Sequence, residues 1–300
     1  MSNKIGIVTV TYNSGKVIED FVMSLNKQKY KEFILIIVDN NSNDNTLEII
    51  NKVDIKFDYH IIRNNENYGV AKGNNIGIKY CEKINCNYIL LLNNDTVFEE
   101  DLLDKLLEGC MKHRVSVVVP KIYYYEPKNL IWMAGGRLVN WKGSAKHFGY
   151  KMVDNGDFDE SKYVNYSPTC CMLISIEVFK KIGYMDEKYF VYFDDTDFCA
   201  RLAKKRIKIL YYPRAVLWHK VSSLTSNAVS EFSFYYINRN WLYYLLKNEK
   251  GFYKVVSLLY FIVKRTARLL ISNKNKRRLL MKTIIDGIKL YCNQNIIEYN

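Results

Sequence analysis

The stretch Tyr88-Ile89-Leu90-Leu91-Leu92-Asn93-Asn94-Asp95-Thr96 passes abruptly from apolar residues to two amides and a carboxylate. An unbroken apolar run of this length reads as a strand covered on both faces, as in a parallel sheet held between helical layers. Its polar end then falls at the carboxyl edge of the sheet, where open α/β folds bind ligands. The same transition occurs upstream at Val10-Thr11-Tyr12-Asn13 and at Val38-Asp39-Asn40-Asn41-Ser42. A fourth cluster, Tyr192-Phe193-Asp194-Asp195-Thr196-Asp197, lies far downstream. Four such ends at one edge would form one site.

Outward from these anchors, strands are expected at 4–11, 33–38, 58–63, 88–92 and 115–119, the last stopped by Pro120. Helical periodicity falls between them, at 17–25, 44–52, 71–81 and 99–112. Alternating strand and helix with short links implies βαβ units, hence an α/β fold with a mostly parallel sheet flanked by helices. From 121 to 170 the pattern breaks into a long irregular stretch with short strands, the kind of segment that lines a site. Helices at 175–182 and 195–205 follow, then strands near 207–212 and 215–218. From 227 onward the chain reads as helix, so the division is drawn at 225, with 226–300 as a basic, amphipathic helical extension.

The formal charge of +13 is concentrated in residues 247–290, which hold twelve Lys or Arg against Glu249 and Asp286. The rest of the chain is close to neutral. A tail of this kind suits an anionic membrane surface or a nucleic acid, or is simply a solvated helical face. Seven cysteines, an odd number with no Cys-x-x-Cys pair, form neither a disulfide framework nor a zinc site. Reduced thiols in a cytoplasmic protein are the simplest account. No window offers the roughly 18 uncharged apolar residues of a membrane-spanning helix, and no cleavable apolar leader precedes the first strand.

Several nucleotide-binding signatures are missing. Gly-x-Gly-x-x-Gly does not follow the first strand, and Gly15-Lys16 is followed by Val17, not the Ser or Thr of a P-loop. Asp39 could accept from a base or ribose, although Asx-turn chemistry explains the same residues. Glycines at 69, 73 and 77 open a helix at a cost of roughly 1 kcal/mol each, which points to close approach by a ligand or a strand. Asp95, fixed at the end of an apolar strand, suits a hard divalent cation that keeps positions for phosphate oxygens. Asp194, Asp195 and Asp197 repel one another unless a cation or proton relieves them. Arg201, four residues past Asp197, is placed to pair with it. That leaves Asp194 or Asp195 as a general base with a raised pKa, or as acids that merely favour a helix start. His219 ends a strand and is one of four histidines, a packed residue or a contact for metal or diphosphate.

Taken together, these motifs resemble the inverting family 2 glycosyltransferases of GT-A type, and among them the rhamnosyltransferase-like branch. The resemblance runs over about residues 5–245. It includes Asn67-Tyr68-Gly69-Val70-Ala71-Lys72-Gly73-Asn74-Asn75-Ile76-Gly77, Gly135-Gly136, Tyr189 through Asp197, His219 and Ser223. It implies a donor half near 1–120 and an acceptor half near 121–225. Thr11, Tyr12, Asn13, Asp39, Asn67, Gly69, Lys72 and Asn94 would hold the nucleotide of a sugar donor. Asp95 and His219 would serve a divalent metal, Mg²⁺ or Mn²⁺. Asp195 would be the catalytic base, with Asp194, Trp132, Gly136 and Cys171 on the acceptor side.

The chain departs from the family pattern where Asn93 replaces the first acid of Asp-x-Asp, where Asp194 replaces a Glu, and at Thr169-Cys170, which lacks a Gly. The resemblance further implies a glycan or polyprenyl-linked acceptor. In the tail, Phe252, Val255, Val256, Leu258, Leu259, Phe261 and Ile262 beside the basic residues of 247–290 read as an interfacial helix, placing the chain peripherally at the inner face of the cell membrane, or else as a face packed on the catalytic domain or on a second subunit of a homo-oligomer. Nucleic acid is not expected as a partner. A nucleotidyltransferase making nucleotide sugars, or a non-catalytic basic binding module, are the competing readings.

Overall fold

The computed structural model describes residues 3–220 and 230–293; Ser223 lies outside the described residues. The catalytic-looking half runs β1 (Ile5–Thr11), α1 (Ile18–Asn26), β2 (Phe33–Asp39), α2 (Thr46–Lys52), β3 (Asp58–Arg63), α3 (Gly69–Lys83), β4 (Tyr88–Leu92), β5 (Thr96–Phe98) and α4 (Leu102–His113). Next come β6 (Val117–Tyr124), β7 (Leu130–Met133), β8 (Gly136–Val139), β9 (Ser144–His147), β10 (Met152–Val153), β11 (Lys162–Val164) and β12 (Cys171–Ser175). The chain ends with α5 (Ile176–Ile182), α6 (Asp194–Lys204), β13 (Ile209–His219), α7 (Glu231–Asn248), α8 (Gly251–Ile271) and α9 (Lys274–Tyr291).

Strands β3-β2-β1-β4 form the parallel centre of the sheet, and β12 enters antiparallel between β4 and β6. Both faces are apolar, as the unbroken runs require. Ile7, Leu35 and Leu90 face a layer formed by Ile18, Phe21, Leu102 and Leu106 of α1 and α4. Val8, Ile36 and Leu91 face Ala71, Ile78, Phe198 and Leu202 of α3 and α6. The parallel register sets Thr11 beside Asp39, so the polar ends emerge together.

Two sequence expectations fail at prolines. Strand β6 does not stop at Pro120 but runs on to Tyr124. The two strands expected at 207–212 and 215–218 are one, β13. The reason is a bulge: Val119 pairs with Tyr211 but Lys121 already pairs with Val216, so Pro120 and Pro213 sit where the ladder is interrupted. Proline lacks a donor and is tolerated there. The three-residue β5, too short to read from sequence, pairs antiparallel with β13 and sets Thr96 opposite His219.

Helix α7 is keyed into the domain by polar bonds. Asn240 Nδ2 donates to the carbonyls of Val191 (2.8 Å) and Tyr192 (2.9 Å), and Arg239 Nη2 to that of Lys188 (3.0 Å). Lys247 Nζ bridges Asp186 and Asp197, 2.6 Å from each. Asn248 Nδ2 adds a bond to Asp197 at 2.8 Å, and Arg201 Nε reaches the other Asp197 oxygen at 2.8 Å, the pairing expected from sequence. Lys247 therefore belongs to a buried ionic knot, not to the basic surface in which its position in 247–290 had placed it. On α8, Phe261 packs edge-on against Trp241 with ring centroids 5.0 Å apart, so it too leaves the expected surface. No disulfide forms among the described cysteines, six of which are buried.

Candidate active site

The carboxyl ends of β1, β2 and β4 enclose a cleft of about 240 Å³. Tyr12, Asn40, Asn67, Gly69, Asn94 and Asp95 line one side, and Phe190, Val191 and Phe232 line the other. Its walls are fixed from behind. Thr11 Oγ1 donates to Asp39 Oδ1 at 2.8 Å, and Ser42 donates to the same carboxylate through Oγ (2.6 Å) and its backbone N–H (3.1 Å). The loop after β1 is stapled to the loop after β2, with Asn13 N bonding Ser42 Oγ and Asn13 Oδ1 accepting from Asn43 N. Asn40 Nδ2 donates to Asn67 Oδ1 (3.2 Å) and to the Gly69 carbonyl (3.0 Å). Asn94 Nδ2 donates to the Val10 carbonyl at 2.7 Å.

Gly69 is required by geometry. Its φ of +73° is left-handed, and an added Cβ would lie 2.3 Å from the Phe190 carbonyl oxygen. The backbone N–H of Val70 bonds that same oxygen at 2.7 Å, drawing the 189–193 segment over the cleft.

Asp95 and His219 meet at the cleft floor, with His219 Nε2 3.1 Å from Asp95 Oδ2. The other carboxylate oxygen, Asp95 Oδ1, is buried and has no hydrogen-bond partner among the described residues, and neither has His219 Nδ1. Burial opposes protonation of His219, but Cys170 and the Asp95 carboxylate outweigh it and raise its pKa well above the ordinary value. The pair also fits a hard cation. Two adjacent ligands of an octahedral ion, each at about 2.1 Å, stand roughly 3 Å apart. Among the described residues no group of three His, Cys, Asp or Glu side chains is placed to hold a metal. Further ligands would have to come from a bound molecule.

The second focus is the start of α6. Asp195 Oδ2 accepts from Tyr166 Oη at 2.8 Å, and Asp195 Oδ1 accepts from Thr196 N at 2.6 Å and Thr196 Oγ1 at 3.1 Å. Burial and the adjacent Asp195 push Asp194 up to about 8. Burial also raises Asp195, while its bonds from Tyr166 and Thr196 pull in the opposite direction. Asp194 is buried, whereas Asp195 accepts from three donors, so of the two Asp195 is the better placed to carry charge. The two foci are bridged by aromatics. Trp132 stands edge-on to both His219 (4.6 Å) and His147 (5.1 Å), and His147 lies 5.6 Å from the Tyr166 ring.

Tyr12, Asn67, Gly69, Asn94 and Asp95 line the cleft. Thr11, Asn13 and Asp39 stand behind its wall in the bonds described above. Lys72 lies over the Tyr68 ring at 3.4 Å and is absent from the lining. Trp132 touches His219, and Gly136 pairs with Tyr166, where a Cβ would lie 2.7 Å from the tyrosine ring. Cys171 does not face the site. It is fully buried in β12 opposite Leu92, because alternation along the strand turns it into the core. Its neighbour Cys170 contacts His219 and bonds Asn93 N through its carbonyl at 2.9 Å. Tyr166, His147 and Phe232 were not legible in sequence. The only signal was that the first two fall in the stretch where helix–strand alternation breaks.

A mostly parallel sheet with a cleft, a carboxylate and an aspartate pair at its carboxyl edge has the arrangement of the GT-A fold. Superpositions show the same fold. Staphylococcus aureus TarS 1–349 in complex with UDP matches with a TM-score of 0.61 at 20% identity, covering 96% of this chain and 80% of that one. A mannosyltransferase from Pyrobaculum calidifontis, solved with GDP-Man and Mn²⁺, matches with a TM-score of 0.58 at 12% identity, over 97% and 88% of the two chains.

The chain belongs to glycosyl transferase family 2, which it matches over residues 6–183. It is 28% identical over 212 residues to the low-salt glycan biosynthesis hexosyltransferase Agl10 of Haloferax volcanii, a match spanning 70% of this chain and 64% of that relative's length. It is 24% identical over 303 residues to the dTDP-rhamnosyl transferase RfbF of Shigella flexneri, spanning 96% and 97%.

Proposed function

We propose that this glycosyltransferase moves a sugar, with inversion, from a nucleotide-diphosphate sugar of the dTDP-rhamnose or UDP-hexose type to a hydroxyl of a glycan or lipid-linked acceptor. The observation that carries this reading is Asp195, held at the start of α6 by hydrogen bonds from the Tyr166 hydroxyl and from Thr196, beside the buried Asp194. Asp195 takes the proton from the acceptor hydroxyl. The acceptor oxygen forms the new bond to the anomeric carbon as the bond to the diphosphate oxygen breaks on the opposite face. The nucleoside diphosphate departs with the electron pair, through an oxocarbenium-like state.

The cleft residues position the nucleotide, and Phe190 and Phe232 shield it from water. Asp95 and His219 would hold a divalent metal, which when bound neutralises charge on the leaving diphosphate. The full-length likeness to a dTDP-rhamnosyl transferase supports a deoxyhexose or hexose donor. The basic segment within 247–290 would place the reaction at a membrane surface.

The test is nucleoside diphosphate release from dTDP-rhamnose, UDP-glucose, UDP-N-acetylglucosamine and GDP-mannose, with and without Mn²⁺, in wild type and Asp195→Asn. Release by the wild type alone supports the assignment. Pyrophosphate formed from a nucleoside triphosphate and a sugar phosphate would replace it with nucleotidyl transfer.

A further inference from the structure

Helix α8 is amphipathic in an unusual sense, because its apolar face points away from the protein. Phe252, Val255, Leu259, Ile262, Val263 and Leu270 follow one another at offsets of 3, 7, 10, 11 and 18 residues, which places them on a single stripe of a 3.6-residue helix. All six are more than half exposed, Phe252 at 77% and Leu270 at 74%. The opposite face is the packed one, with Ser257 and Phe261 buried against α7 and its surroundings. A contiguous exposed apolar stripe of this length marks an interaction surface, not ordinary surface scatter.

Charge indicates what covers it. Helix α8 contains four Lys or Arg and no acid. Helix α9, which follows directly, contains six and a single acid, Asp286, whose Oδ2 is engaged by Tyr235 at 2.7 Å. Lys274, Lys276, Arg277 and Arg278 are all exposed in the turn and first part of α9 that follow the stripe. A partner with apolar depth and a negative surface has the complementary pattern. Among the described residues no helix is long and apolar enough to cross a membrane, so the face would lie on a bilayer and not span it.

We propose that the outward face of α8, with the cationic turn into α9, seats the protein on an anionic lipid bilayer, its stripe sunk about 5–10 Å into the headgroup–acyl boundary. This refines the membrane placement in the proposed function and stands or falls separately from the sugar chemistry. Trp141 and Tyr253 border a recess at the N-terminal end of α8 together with Arg137 and Asn165, the residue before Tyr166.

The full chain is incubated with vesicles of phosphatidylcholine containing about a quarter phosphatidylglycerol, and with phosphatidylcholine alone, and sedimented. Wild type should sediment with the anionic vesicles and lose most binding at about 0.5 M salt. Leu259→Asp with Ile262→Asp, both exposed positions, should lower the bound fraction roughly tenfold. Lys274→Glu with Lys276→Glu should lower it severalfold on anionic vesicles only. Circular dichroism and nucleoside diphosphate titration, unchanged in both double variants, establish that folding and the donor cleft survive. Wild type that fails to sediment, or an aspartate variant that sediments as well as wild type, overturns the proposal. So does a wild-type dimer in light scattering that Leu259→Asp with Ile262→Asp turns into a monomer without any vesicle binding. Loss of nucleoside diphosphate binding by the wild type would instead count against the donor cleft and leave this surface untouched.

Discussion

Asp195→Asn isolates the proton transfer from everything else at the site. Asparagine is nearly isosteric with aspartate. Its Oδ1 keeps the position that accepts from Thr196 N at 2.6 Å. Its amide replaces Oδ2, and the Tyr166 hydroxyl, 2.8 Å away, rotates from donor to acceptor. The local structure should persist, while the one group able to take the acceptor proton is gone. Loss of a general base costs roughly 10²–10⁴-fold in rate. At about 1.36 kcal/mol per tenfold, that is about 2.7–5.4 kcal/mol of transition-state stabilisation.

Asp195 is absent from the cleft lining, so nucleoside diphosphate affinity measured by calorimetry should not change. The pH dependence carries a second signature. The base works as the carboxylate, so wild-type turnover should rise with pH through its pKa, which burial raises above the ordinary value. The linkage sign is the reverse for stability. A carboxyl whose folded pKa is raised stabilises the fold below its unfolded pKa, and that contribution is lost as pH rises through the folded value. The variant should therefore melt no lower than wild type at neutral pH. Nucleoside diphosphate release assayed with the best donor gives the answer. Turnover within threefold of wild type in a correctly folded variant would refute the role assigned to Asp195.

Asp95→Ala should abolish any stimulation of nucleoside diphosphate binding by Mn²⁺ in calorimetry, while metal-free binding is preserved; stimulation that survives would remove Asp95 from the metal site. Gly69→Ala should cost about 1–2 kcal/mol from the left-handed backbone alone, with more from the contact with the Phe190 carbonyl, read as a lowered denaturant midpoint and weakened donor binding. Lys247→Met leaves Asp186 and the fully buried Asp197 short of a cation and should destabilise by about 3 kcal/mol. A melting temperature within a degree of wild type would show the knot to be dispensable.

The centre of the sheet was legible because β2 and β4 are apolar runs, β1 is rich in β-branched residues, and all three end in polar residues. Both signals are local, and β1 through β4 fall where the pattern puts them. What could not be read depended on partners distant in sequence. Pro120 looks like a stop until Pro213 is seen opposite it in the bulge. Asp95 and His219 were each legible as strand-end residues, but only the short β5 makes them neighbours. Tyr166 carries no mark of its own, and its hydroxyl matters because the start of α6 is folded against it. Lys247 and Phe261 illustrate the converse error. Composition assigned them to a surface, and packing against α6 and α7 withdrew them from it.

The ionic knot at Lys247 also bears on how this protein could have been assembled. Asp197 sits two residues after the proposed base and in the same helix, and two of its bonds come from the last turn of α7. The helical tail is thus a brace for the catalytic helix before it is anything else. A fragment ending near residue 225 would retain every motif residue through His219 and still lose the clamp that holds α6 in place. A chain cut at 225 is therefore expected to melt lower than one cut after Asn248, as read by circular dichroism. Exchange of tails between related enzymes would succeed only at a junction beyond that residue.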